Sequence, residues 1–477
     1  MKNRRADFAI WALAGSLLLL LGCAGPRPAW ELPVPPVRVA PITDEGALIR
    51  QTLPNGLRIL LLEDHSRPMV SFGLAVRRGT AIETAGKEGV AVLCAEVMQR
   101  GAGDRDALQM ANAVDQLGAT LGIGAGWDSI QLGVSGLARD ADTLLQIVSD
   151  VTLRPRFDER ETEKARDEQL ADLASGLDNP RTLLSWQLGR TLYPGHRYGL
   201  PRAGQPEAVR QLTAADVRNF YESIFLPNNA IFYATGDFDS EVLLAQVERA
   251  LGGWVSGSVP EPVTAPPPKV PEARKIVVLD RPDLVQVQIA VSHEGLQRTD
   301  PRRVPASLLN NVLGGSGFSS RLTVRIRSDA GLTYGIHSRF SLRRRPGRFG
   351  ISTSTRVDQA RPALDLLLEE VGAIRKDRPP TEDELRNAKA FNVGHFALGL
   401  ETAEAVMGSL VNLDIYGLPE DSLDTFRGRV QQVTRAEITE LAKELLHPER
   451  AAIVLVGPAA TLVPELESLG PIEVVTW

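Results

Sequence analysis

Ala230-Ile-Phe-Tyr-Ala-Thr235-Gly236 is an apolar run closed by a glycine, and it returns late in the chain as Ala451-Ala-Ile-Val-Leu-Val456-Gly457. Its surroundings return with it. Thr213-Ala-Ala-Asp216, an acid three residues after a threonine, has the form of a capping box, and so does Thr434-Arg-Ala-Glu437. From each threonine it is 14 residues to a proline (Pro227, Pro448) and 23 to the glycine that closes the strand. A second pair, Gly118-Ala-Thr-Leu-Gly-Ile123 and Gly331-Leu-Thr-Tyr-Gly-Ile336, keeps the same order. Two ordered matches on either side of one boundary predict duplicated domains.

The boundary is a proline-rich stretch with Pro266-Pro267-Pro268 at its centre. It divides the folded part into residues 45–255 and 275–477, with 256–274 as the linker. Val70, Phe72, Leu74 and Val76 alternate as in a half-buried strand, as do Val285, Val287, Ile289 and Val291. Helical patterns cover 88–100, 140–151, 159–177 and 213–223. No glycine-rich βα turn of the dinucleotide type interrupts them. The reading is α+β: two homologous domains, each a mostly antiparallel sheet covered by helices.

With 477 residues, 43% hydrophobic and 23% charged, the chain can build two cores. Its net charge of -6 supplies no basic excess for phosphates, so nucleic acid is not an expected partner. Two cysteines exclude a disulfide framework, and the six histidines include no H-x-x-x-H pair. The N-terminus reads as a targeting segment. Lys2, Arg4 and Arg5 precede an apolar run of 14 residues, Phe8 to Leu21, too short for a comfortable membrane span. It ends in Leu20-Leu21-Gly22-Cys23, which resembles the bacterial lipobox; the alternative is a plain secretory signal with an incidental cysteine. The expectation is a signal peptide over 1–22, lipid on Cys23, and a proline-rich tether over 23–44. Ala24 after the cysteine resembles lipoproteins sorted to the outer membrane, so a lipid-anchored envelope protein facing the periplasm is expected.

Pro54-Asn-Gly-Leu57 opens a strand, Arg78-Gly-Thr80 follows, and Gly89-Val-Ala91 starts a helix. With Tyr193-Pro-Gly-His-Arg-Tyr-Gly199, Leu226-Pro-Asn-Asn-Ala230 and Gly236-Asp237, this order resembles the insulinase/pitrilysin/processing-peptidase family of zinc metallopeptidases from about residue 50 onward. Active members carry H-x-x-E-H on this helix. Two histidines four apart share one face and hold zinc, and the glutamate activates a metal-bound water. Here the five positions read Val92-Leu93-Cys94-Ala95-Glu96: both histidines are gone and Ala95 stands at the general base. The third-ligand position falls near Asp172. A site built from Glu96, Asp172 and Cys94 would suit a hard ion better than zinc; the competing reading places Glu96 on a solvent-facing helix edge and Cys94 in the core.

The second half keeps more. Gly314-Gly-Ser-Gly317 and Ser319-Ser-Arg-Leu322 resemble the family's entry into a helix, where a serine can cap. Arg327 and Tyr334 stand seven apart. In active relatives such a pair reaches across a closed chamber to the substrate backbone and the oxyanion opposite zinc. The competing reading makes Arg327 a solvated helix residue and Tyr334 a core-packing strand residue. Two-chain members divide the labour between a zinc-bearing chain and one that brings the arginine and tyrosine. The resemblance therefore implies a non-catalytic subunit that holds a peptide or unfolded protein, binds no cofactor itself, and pairs with a zinc-bearing relative as a heterodimer. The alternatives are an envelope scaffold lipoprotein without a role in proteolysis and a self-sufficient peptidase, which the missing histidines oppose.

Overall fold

The computed structural model describes residues 41–43, 47–260 and 272–476. Cys23, the signal segment, nearly all of the tether and the centre of the linker lie outside the described residues. In the first half the longer elements are β1 (Leu48–Thr52), β2 (Arg58–Glu63), β3 (Met69–Val76), α1 (Val90–Met98), α2 (Ala107–Gln116), β4 (Thr120–Ala125), β5 (Ile130–Leu137), α3 (Ala141–Leu153), α4 (Glu159–Asp178), α5 (Pro180–Leu192), α6 (Ala214–Ile224), β6 (Ala230–Gly236) and α7 (Ser240–Leu251). The six strands form one sheet in the order β1-β2-β6-β3-β5-β4, antiparallel except where β2 pairs with β6.

The second half repeats the plan with β7 (Lys275–Asp280), β8 (Gln286–Glu294), α8 (Arg303–Asn310), β9 (Ile336–Ser341), β10 (Arg348–Arg356), α9 (Ala360–Ile374), α10 (Glu382–Leu398), α11 (Ala403–Tyr416), α12 (Arg435–Leu445), β11 (Ala452–Gly457), α13 (Ala459–Leu466) and β12 (Ile472–Val475). Its sheet runs β9-β10-β8-β11-β7-β12, with β11 and β12 parallel to β7 and the other pairs antiparallel. The repeated segments of sequence take equivalent places: β6 matches β11 and β4 matches β9. The two halves are duplicated α+β domains. Their capping boxes differ in completeness. Thr213 and Asp216 bond reciprocally at the start of α6, whereas at α12 only the Thr434 side chain accepts, from the Glu437 N–H at 3.2 Å.

Each sheet has a helical face and a face covered by a helix from the other half. α5 starts on Pro180, capped by the Asn179 side chain, which accepts from the Arg181 and Thr182 N–H groups. Its buried Leu183, Leu184, Leu188 and Leu192 pack on the second sheet with Val277, Ala290, Val454 and Val456. α11, the matching helix of the second half, sets Val406, Met407, Leu410 and Val411 against Leu60, Leu62, Ala75 and Ile231 of the first sheet. Burying a leucine contributes about 1.5–3 kcal/mol, so this exchange ties the halves together strongly. Gly73 serves the same face: a Cβ there would lie 2.1 Å from the Tyr233 ring, so β3 has no side chain at that point. Asp128 adds a polar stitch, accepting from the Arg344 N–H at 3.1 Å and the Tyr416 hydroxyl at 3.0 Å.

Candidate functional site

Two regions carry the residues singled out in the sequence. The first is α1. Its N-terminus is held by the Glu83 carboxylate, which accepts from the N–H groups of Gly89 (3.0 Å) and Ala91 (2.8 Å) and pairs with the Arg197 guanidinium at 2.6 Å. Both side chains are buried, and Arg197 also donates to the Pro201 and Arg202 carbonyls. Gln169 of α4 donates to the Gly89 carbonyl at 3.1 Å and the Ala203 carbonyl at 2.7 Å. Gly89 has φ +100°, and a Cβ there would lie 2.5 Å from the Ala203 carbonyl. The helix start is thus clamped from three directions.

Along α1, Val92 is half-buried, Ala95 is buried, and Cys94 is sealed in the core, where burial pushes its thiol pKa up. Glu96 pairs with Arg100 at 2.8 Å, and Arg100 also reaches Glu168 of α4. Asp172 lies exposed on α4; the α4 side chains that meet α1 and its C-terminal edge are Gln169 and Glu168. Neither Val92 nor Ala95 offers a donor, the thiol is held protonated, and the nearby carboxylates of Glu96 and Glu168 are both paired with Arg100. This donor set does not fit zinc. Among the described residues no group of three or more His, Cys, Asp or Glu side chains converges on a metal position.

The second region stands in the other half. Arg327 lies in the wide turns of Thr323–Asp329, a π-helical segment of the kind that collects at functional sites. Gly331, at φ +65°, ends it, as the left-handed region favours glycine. The Thr333 hydroxyl then bonds the Ser354 carbonyl at 2.7 Å and Thr353 Oγ1 at 2.8 Å, and accepts from the Gly335 N–H at 3.1 Å. That anchor leaves Tyr334 88% exposed, not packed on the core. The Arg327 guanidinium carbon sits 5.2 Å from the Tyr334 ring centroid and 4.6 Å from that of Phe318, itself 72% exposed. Both are within cation–π range. Ser320 caps differently from the expectation: its hydroxyl bonds the Thr323 hydroxyl at 2.9 Å, not a free helical N–H.

The structure therefore brings Arg327 and Tyr334 together and packs Val92, Ala95 and Glu96 into a structural helix; among the described residues no hydrogen bond or ion pair joins the two regions. Sequence reasoning did not single out Phe318, Thr333, Glu83 or Arg197. Phe318 had a signal, directly after the Gly314–Gly317 turn. Arg197 lies inside the Tyr193–Gly199 motif, but Glu83 is 114 residues away and nothing in the sequence links the two.

Residues 58–205 match the insulinase family (peptidase family M16), and residues 211–392 match the peptidase M16 inactive domain. The chain belongs to the M16 peptidase family. It is 26% identical over 418 residues to an uncharacterized zinc protease of Streptomyces coelicolor, covering 87% of this chain and 90% of that protein. A crystal structure of a peptidase M16 inactive domain from Pseudomonas fluorescens superposes with a TM-score of 0.79 at 25% identity, over 86% of this chain and 98% of that one. The periplasmic protease PqqL of Escherichia coli shares the fold, with a TM-score of 0.72 at 18% identity; 91% of this chain spans 51% of PqqL. This M16 chain thus has the extent of about half of that longer protease.

Proposed function

We propose that this chain is the non-catalytic subunit of a two-chain M16 metalloendopeptidase in the cell envelope. It holds peptide or unfolded protein and presents Arg327 and Tyr334 to the zinc site of a partner relative; it binds no zinc itself and is held to the membrane through lipid on Cys23. The observation that carries this reading is the stack of a half-buried Arg327 on an exposed Tyr334, anchored through Thr333, in a chain whose α1 has the wrong donors for zinc. A tyrosine and an arginine held at the surface with no hydrogen bond or ion pair to their side chains among the described residues are placed to donate to a ligand outside the chain. The fold likeness to half of PqqL supports the need for a second half.

The test is reconstitution with a zinc-bearing M16 relative found by co-purification from native membranes. Arg327→Ala or Tyr334→Phe should lower kcat by about 10²–10³ while gel filtration shows an intact complex. Wild-type turnover in both variants would leave the pair structural and favour an envelope scaffold.

A further inference from the structure

Beside Tyr334 the second sheet and the α5 helix that covers it leave a groove between them, with a volume of about 420 Å³. Arg181 and Ser185 reach it from α5, and Arg348, Ser352 and Ser354 from β10. No carboxylate lines it among the described residues. Its unusual member is Arg348. The side chain is half-buried, and loss of water together with the neighbouring Arg343 and Arg339 charges pushes its pKa down to about 10. Glu294 faces Arg348 in the strand register but makes no ion pair with it. Among the described residues no hydrogen bond or ion pair engages the Arg348 guanidinium. Two other arginines of this half show the usual alternative: Arg321 is forked onto Glu384, and Arg302 onto Asp300.

A cation partly withdrawn from water, near other cations and without an anion, is costly unless a ligand supplies the missing charge. The planar guanidinium fits a carboxylate through two parallel N–H donors, and the serine hydroxyls add neutral donors. We infer that this groove binds a carboxylate of the peptide held at Tyr334, so that the chain selects peptides bearing an acidic group next to the segment presented for cleavage. The inference rests on the peptide-holding reading above. The carboxylate can come from a glutamate or aspartate side chain or from the peptide's own C-terminus, and the two share one chemistry.

Three fluorescein-labelled unstructured peptides of one sequence separate these cases: one amidated with an internal glutamate, one amidated with glutamine there, and one with glutamine and a free C-terminus. Anisotropy titrations use the full chain and, in parallel, its complex. At least one carboxylate-bearing peptide should bind about tenfold or more tightly than the neutral one, and Arg348→Gln should abolish that advantage. Arg181→Gln, on an exposed helix position, should reduce it and keeps the test alive if Arg348→Gln folds poorly. Preference for internal glutamate assigns a side chain; preference for the free end assigns the terminus. Equal binding of all three peptides, or an advantage that survives both substitutions, overturns the carboxylate groove and leaves peptide holding intact. If neither the chain nor the complex binds any peptide, peptide holding fails and the groove assignment falls with it.

Discussion

The duplication sets up a comparison inside one molecule. Counted from Gly118 and Gly331, Val114 in the first half occupies the place of Arg327 in the second, and Leu121 the place of Tyr334. Strand register adds a third pair. Val76 lies opposite Ala230 where β3 meets β6, and in the matching place His293 of β8 directly follows Ser292, which lies opposite Ala452 of β11. Val114 and Val76 are buried in the first core, and Leu121 packs against it. Arg327 and Tyr334 stand out from the second, while His293 is buried within it. The first half has spent these positions on packing. The second half, on the same scaffold, has polar groups there: Arg327 and Tyr334 outside its core, and His293 inside it bonded to the His447 N–H. In that sense the half with the family's zinc helix is now the structural half.

The largest effect should come from breaking what holds α1 in its structural role. Arg197→Ala leaves the buried Glu83 carboxylate without its cation while it still caps the helix. Removing one partner of a buried pair costs about 3–5 kcal/mol. Urea denaturation should show a loss of that size. A loss under about 1 kcal/mol would mean the pair is solvated in practice and α1 is not clamped.

A smaller effect sharpens the contrast between Val76 and His293. Burial pushes the His293 pKa down to about 4, with the nearby His447 and Arg450 charges acting in the same direction and Glu449 opposing them. Its Nδ1 meets the Glu294 carbonyl at 2.7 Å and its Nε2 accepts from the His447 N–H at 3.1 Å, an arrangement for the neutral ring. The unfolded chain takes up the proton near the ordinary histidine value, about 6.5, and the folded chain does so only near 4. Between those values the unfolded state binds more protons, so stability falls as pH falls through this window, by up to about 3 kcal/mol. His293→Val, which copies the first half, should flatten that loss between pH 7 and pH 4 while costing about 1 kcal/mol at pH 7 for the orphaned His447 N–H. Parallel urea midpoints at the two pH values check it. An equally steep decline in the variant would place the acid sensitivity elsewhere.

The sequence made the repeat visible because strand closure and helix capping depend on local residue types. Thr213, Gly236, Thr434 and Gly457 declare those features without reference to distant partners. It also made the Arg327–Tyr334 spacing visible. It could not show where α5 and α11 dock. Leu183, Leu184, Leu188 and Leu192 state that one helical face is apolar, not that the face covers the sheet of the other half. For the same reason Arg348 reads as an ordinary outward strand residue. Only the arrival of α5 turns its surroundings into a groove. The Glu83–Arg197 clamp was hidden by its span of 114 residues, since charge pairing across such a distance has no periodic signature. Tyr334 shows a narrower limit: alternation alone suits a core-facing strand residue, and the Thr333 anchor that holds its ring outward depends on β10.

The smallest effect on stability should come from converting the second half's surface into a copy of the first. Arg327→Val combined with Tyr334→Leu installs the residues found at the matching places, Val114 and Leu121. The positions differ in surroundings: the first pair is covered by its core, whereas Tyr334 is largely in water. The new aliphatic side chains therefore have little to pack on, and the loss is the two cation–π contacts of Arg327, to Tyr334 and Phe318, about 0.5–1 kcal/mol each. Thermal unfolding should stay within a few degrees of wild type. In the reconstituted complex the same double variant should lose cleavage at least as far as either single substitution, because both donors are gone. If the variant instead loses several kcal/mol, Arg327 and Tyr334 belong to the second half's core as Val114 and Leu121 belong to the first. The contrast between a packing half and a donor-presenting half would then disappear.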